Sequence, residues 1–89
     1  MESELNNETK ELVKAGLNLE ENILKLGLVK WGNKLKNFEK EYKMSSDEFF
    51  DKFNKGNLGD DKKWFEWLFA YKSYHHIKNK LNIIKTINL

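Results

Sequence analysis

The stretch Leu24-Lys25-Leu26-Gly27-Leu28-Val29-Lys30-Trp31-Gly32-Asn33-Lys34-Leu35-Lys36-Asn37-Phe38-Glu39-Lys40-Glu41-Tyr42 decides how this chain folds. Leu24, Leu28, Trp31, Leu35, Phe38 and Tyr42 follow one another at intervals of four, three, four, three and four, which places them on one stripe of an α-helix. Lysines 25, 30, 34, 36, 40 and 43 fall mostly off that stripe. Gly27 and Gly32 each cost about 1 kcal/mol relative to alanine in a helix interior, and the partial alternation from Ile23 to Trp31 also fits a short strand. Six apolar positions in register outweigh two glycines. The reading is therefore a helix from about Glu20 to Lys43.

Upstream, Leu5, Leu12, Val13 and Leu17 form a weak amphipathic pattern that Gly16 and Asn18 interrupt. Residues 1–18 are read as an acidic N-terminal segment, a frayed tail leading into a short helix, and residues 19–89 as the helical domain. Downstream, Ser45 and Glu48 have the spacing of a capping box, in which each side chain satisfies a free backbone N–H of a helix's first turn. Asp47 and Glu48 suit the positive end of the helix dipole. A short helix should follow with Phe49, Phe50 and Phe53 inward, and Gly56 is placed to end it in a left-handed conformation. Asn57-Leu58-Gly59-Asp60-Asp61 then reads as a tight turn, with Asp60 as the next N-cap.

The last helix carries Trp64, Phe65, Trp67, Leu68, Tyr71, Tyr74, Ile77, Leu81 and Ile84, an apolar arc wider than one core-facing stripe requires. The fold class is all-α: a helical hairpin or three-helix arrangement, with two long helices joined by a short one.

Length and composition bound the function. A chain of 89 residues forms at most one domain, and a domain of that size buries only about 60 to 65% of the surface its unfolded chain exposes. A partner or a second copy would supply the missing burial. There is no cysteine, hence no disulfide framework or thiolate metal site. No apolar run approaches the ~20 residues that span a bilayer, and the start of the chain is polar and acidic, so the expected location is the cytoplasm. Proline is absent, which lets long helices run unbroken. The net charge of +2 is too small for a dedicated nucleic-acid binder, although the chain starts acidic and ends basic.

The residue pattern gives no catalytic apparatus. It contains no glycine-rich phosphate loop, no nucleophile elbow and no pair of histidines at metal spacing. His75 and His76 are adjacent, so on a helix they point about 100° apart and do not share an ion as an i, i+4 pair would. Asp47, Glu48, Asp51, Asp60 and Asp61 resemble an acidic cluster, but three of them stand at first-turn or capping positions that explain them. The chain is read as no enzyme, without cofactor or metal.

Lys62-Lys63-Trp64-Phe65 and Tyr71-Lys72-Ser73-Tyr74 interleave lysine with rings, as surfaces that stack on single-stranded nucleic acid do. A hydrated lysine face beside a helical core explains them equally well, and with no arginine the bidentate guanine contact is missing. The stronger reading concerns protein. The last helix carries more ring-bearing surface than three short helices can cover, and Tyr and Trp are favoured interface anchors. Self-association is expected in isolation, and Trp67→Ala should weaken it more than a lysine change.

The run from Phe38 to Phe49 (Phe38-Glu39-Lys40-Glu41-Tyr42-Lys43-Met44-Ser45-Ser46-Asp47-Glu48-Phe49), then Phe53, Gly56-Asn57-Leu58-Gly59-Asp60-Asp61, Trp64-Phe65-Glu66-Trp67 and Tyr71, carries a family likeness. It resembles the antitoxin half of the TumA/TumE-type toxin-antitoxin pairs of archaea and bacteria, over about the middle 35 residues. Lys43 stands where a glycine is common and Asn57 where a glutamate is usual, neither of them a capping or aromatic position. The resemblance implies a chain that binds and blocks a co-encoded toxin, an RNA-cleaving enzyme. By that likeness Trp64, Phe65, Glu66, Trp67, Tyr71 and Tyr74 form the partner-binding surface. An aromatic helix laid into a groove would exclude substrate, with Glu66 standing in for a phosphate. The alternative reading is a small self-associating structural or nucleic-acid-binding helical protein.

Overall fold

The computed structural model describes residues 6–88. The first five residues of the expected acidic segment, Leu5 among them, and Leu89 lie outside the described residues. Three helices follow in chain order: α1 (Asn7–Tyr42), α2 (Ser46–Asn54) and α3 (Lys62–Thr86), and no strand is present among the described residues. The molecule is an elongated hairpin of α1 and α3, measuring 58 × 24 × 18 Å, with α2 folded across its closed end.

The long helix begins earlier than its sequence suggests. Asn6 caps it, its side-chain oxygen accepting from the Thr9 N–H at 2.8 Å, and the helix then runs unbroken through Gly16 and Asn18 to Tyr42. The expected break at those residues, and a helix start near Glu20, are thus corrected. Gly16 costs helix propensity, but nothing there offers the backbone a competing cap. The inner stripe also continues upstream through Leu17, half-buried like Leu28, and Leu24 is buried.

Gly27 and Gly32 have a packing role. A Cβ on Gly27 would meet Ile77 Cδ1 at 2.9 Å, and one on Gly32 would stand 3.4 Å from the Tyr74 ring. Gly27 thus leaves room for the flexible tip of Ile77, and the Tyr74 ring comes to ordinary contact distance of Gly32.

Lys43 ends α1 in the left-handed region, at φ 55° and ψ 44°. Glycine is the residue that adopts this conformation at a helix end without strain, and lysine does so at a cost. Ser45 caps α2 as its spacing predicts, accepting from the Glu48 N–H at 3.0 Å. The reciprocal half of the box is replaced. Glu48 turns to Lys52 (3.2 Å), and a carboxylate from the preceding helix, Glu39, accepts from the Ser46 N–H at 2.9 Å. Gly56 follows α2 at φ 73° as expected, with Gly59 at φ 84° in the same turn. The N-cap of α3 is Asp61 rather than Asp60: its carboxylate accepts from the Lys63 N–H at 3.1 Å.

The core lies at the closed end, where Leu35, Phe49, Trp67 and Ala70 are buried. Trp67 is sandwiched between rings. Phe49 lies nearly parallel to it at 4.1 Å and Phe38 at 5.3 Å, with Tyr42 at 5.7 Å. Towards the open end, among the described residues, only Leu24 and Leu81 are buried.

Candidate functional site

Trp67 and α3's exposed rings divide the six residues expected to face a partner. Trp67 has no exposed surface. Its indole N–H donates to Ser46 Oγ at 3.0 Å within the core, so Trp67 organises the fold and cannot anchor a partner. This corrects its assignment to the binding surface. The premise that the ring stripe exceeds what the chain covers is narrowed to Phe65 and Phe69, since the other rings of α1, α2 and α3 largely cover one another.

Trp64, Tyr71 and Tyr74 are half-buried and engaged internally. Trp64 tilts against Tyr42 at 5.0 Å, with Lys63 Nζ 5.2 Å from the Tyr42 ring and 5.3 Å from the Trp64 ring. Tyr71 stacks on Phe50 at 4.6 Å and its hydroxyl donates to Asp47 at 2.7 Å. Tyr74 lies against Gly32. Burial, together with the Asp47 carboxylate it donates to, pushes the Tyr71 phenol up to about 12.

Phe65 and Glu66 do face outward. Phe65 is 50% exposed, and one turn further on Phe69 is 62% exposed. The Trp31 ring of α1 meets Phe69 edge-on at 5.3 Å, and Phe53 of α2 meets Phe65 edge-on at 5.4 Å. Trp31, Phe38, Phe65 and Phe69 floor an open groove of about 530 Å³ between α1 and α3, with Lys34, Lys62 and Glu66 also lining it. Lys30 and Lys34 place their ammonium groups 4.9 Å and 5.8 Å from the Trp31 ring. Glu66 is only loosely met by Lys62, at 3.9 Å. The result is an aromatic floor with a rim of net positive charge, which suits an apolar segment flanked by acids.

Sequence reasoning missed Phe69 and gave Trp31 wholly to the core. The spacing of Phe69, four residues after Phe65, was the available signal, since it puts both rings on one edge of α3 outside the Trp64–Trp67–Tyr71 stripe.

A second, polar recess of about 310 Å³ lies on the opposite side, lined by Lys36, Glu39, Asp47, Tyr71, His75 and Lys78 among others. Its acids already have structural partners: Glu39 binds the Ser46 N–H and Asp47 the Tyr71 hydroxyl. His75 packs on Tyr71 at 4.4 Å, and His76 is exposed. Of the remaining acidic cluster, Asp51 pairs with Lys55 at 2.9 Å and Asp61 is the α3 cap. Among the described residues, no three His, Asp or Glu side chains are placed to hold a metal ion, and no helix is long and apolar enough to cross a membrane.

No protein-family model, curated protein or solved structure matches the chain.

Proposed function

We propose that this chain is an antitoxin-type protein-binding module, without catalysis of its own, that neutralises a co-encoded toxin in the cytoplasm. Two things support the reading: the resemblance across Phe38 to Tyr71, and the groove at Phe65 and Phe69. The groove is the observation that carries it. Two phenylalanines one turn apart, each at least half exposed, Phe69 backed by Trp31 and Phe65 by Phe53, form an apolar floor left open among the described residues. Aromatic clusters of this kind supply most of the energy of protein interfaces.

The mechanism differs from a helix of this chain inserted into its target. Here the α1–α3 groove receives an element of the partner, and the lysines at its rim, Lys34 and Lys62, select one with acidic flanks. Occluding that element blocks the toxin. Glu66, exposed at the rim, adds a single acceptor for a partner cation. The nucleic-acid alternative is weaker because the chain has no arginine for bidentate base contacts and a net charge of only +2.

Co-expression with the toxin encoded beside this chain tests the reading. The wild-type chain should restore growth and co-purify with the toxin. Phe65→Ala combined with Phe69→Ala should lose both while retaining its helical circular dichroism. Rescue that is indifferent to both phenylalanines would remove the groove from the mechanism, and absence of any rescue by the wild-type chain would remove the antitoxin reading.

A further inference from the structure

We propose that two copies of this chain pair through the outer face of α1, antiparallel, about a two-fold axis near Leu19. The inner stripe of α1 faces α3 and α2. On the opposite side of the same helix stand Leu12, Leu19 and Leu26, spaced seven residues apart and 71%, 63% and 73% exposed. Ala15, Ile23 and Val29 beside them are exposed as well. At 100° per residue these six side chains fall within an arc of about 120° centred opposite Leu24. A seven-residue repeat on one face is the seam that two helices bury against each other.

The chemistry of the face points to a second copy as its occupant. The seam reads the same in both directions: Leu19 is equidistant from Leu12 and Leu26, so an antiparallel copy brings Leu12 of one chain to Leu26 of the other. The charges reverse along it. Glu8 and Glu11 lie at the N-terminal end, Lys25 and Lys30 at the other. Antiparallel pairing places acids beside lysines at both ends, whereas parallel pairing would set like charges together. Each exposed pair adds little energy, but the pattern decides orientation. Asn22, exposed within the same arc, is a single polar position in the seam, and Asn33 and Asn37 continue the face beyond Val29 and end its apolar part.

At 54 to 73% exposure, Leu12, Leu19, Ile23, Leu26 and Val29 leave an apolar strip that a second copy would cover, an interface at the small end of the specific range. Pairing also supports the start of α1. A Cβ built on Gly16 meets no neighbouring atom within 4 Å, and Leu12 is largely uncovered. A helical stretch that short is marginal in water without a packed face. None of the six seam residues lines the Trp31–Phe69 groove, so a dimer of this kind presents two grooves. The inference does not depend on what the groove binds.

Sedimentation velocity of the full chain should show a dimer. Leu19→Glu should raise the dissociation constant by about a hundredfold or more, because it removes two leucines from the seam and places two carboxylates at the axis. Its circular dichroism should stay predominantly helical, since Leu19 faces solvent in one copy, with any loss confined to the first turns of α1 that pairing supports. Orientation is read by cross-linking, which the absence of native cysteine makes clean. Mixed Leu12→Cys and Leu26→Cys chains should form a disulfide on mild oxidation, and Leu12→Cys alone should not. The cross-linking also tests the interface in a background where Leu19 is intact. A monomeric wild-type chain, a dimer that survives Leu19→Glu but is dissolved by Phe69→Glu, or efficient self-cross-linking of Leu12→Cys would each overturn the proposal.

Discussion

Replacing Trp67 by alanine separates the two roles that its sequence context left joined. The side chain is fully enclosed, lies between Phe49 and Phe38, and donates its indole N–H to Ser46. Truncating a buried Trp or Phe to alanine costs about 3 to 5 kcal/mol, and losing the donor to Ser46 adds about 1 kcal/mol. A chain of this length has a total stability on the order of 4 to 13 kcal/mol, so Trp67→Ala should forfeit roughly a third of it or more. At roughly 4 to 8 °C per kcal/mol, its thermal midpoint should fall by about 20 °C or more. Thermal unfolding followed by far-ultraviolet circular dichroism measures this directly. Phe69→Ala, more than half exposed, serves as the contrast and should cost about 1 kcal/mol or less. If Trp67→Ala melts within about 5 °C of the wild type, the ring sandwich is not what holds the closed end together and the reasoning fails.

Lys43→Gly should stabilise the chain by about 0.5 to 1 kcal/mol, because relief of the left-handed strain at φ 55° exceeds the added freedom of the unfolded chain; urea titration would show it. Glu39→Ala strips the acceptor from the Ser46 N–H at the buried start of α2 and should cost about 1 to 3 kcal/mol, while Glu39→Gln keeps an oxygen there and should recover most of it in the same titration. Tyr71 favours its protonated form in the fold, with its pKa raised from 10.0 to about 12, so its contribution is complete below about pH 10 and is lost as pH climbs towards 12. Tyr71→Phe should therefore flatten the fall in melting temperature over that alkaline window, and an unchanged slope would contradict the assignment.

The architecture was legible because it is written in short-range signals. The four-three spacing from Leu24 to Tyr42, the Ser45 cap and the left-handed Gly56 each depend on neighbours within a turn or two, and each appears where the spacing puts it. The early start of α1 was less legible, since Gly16 and Asn18 look like a stop although the inner stripe continues past them through Leu17. The docking surface was legible only in part. Which face of α3 turns outward depends on where α2 lands, and α2 covers Trp67 while leaving Phe69 open. Ring content alone cannot distinguish these two residues. Likewise the capping role of Glu39 joins groups seven positions apart across a helix break, a contact that no helical periodicity encodes.

The three tryptophans give the protein a built-in optical readout. Trp67 is dry and stacked, Trp64 is half-covered beside Lys63, and Trp31 borders the groove with two ammonium groups close to its ring. Occupation of the groove should alter the emission of Trp31 alone, whereas loosening of the closed end should first release Trp67 to water. Replacing Trp31 or Trp64 by phenylalanine, with Trp67 kept, would therefore distinguish a visitor at the surface from a failure of the interior by colour and intensity, without any attached dye.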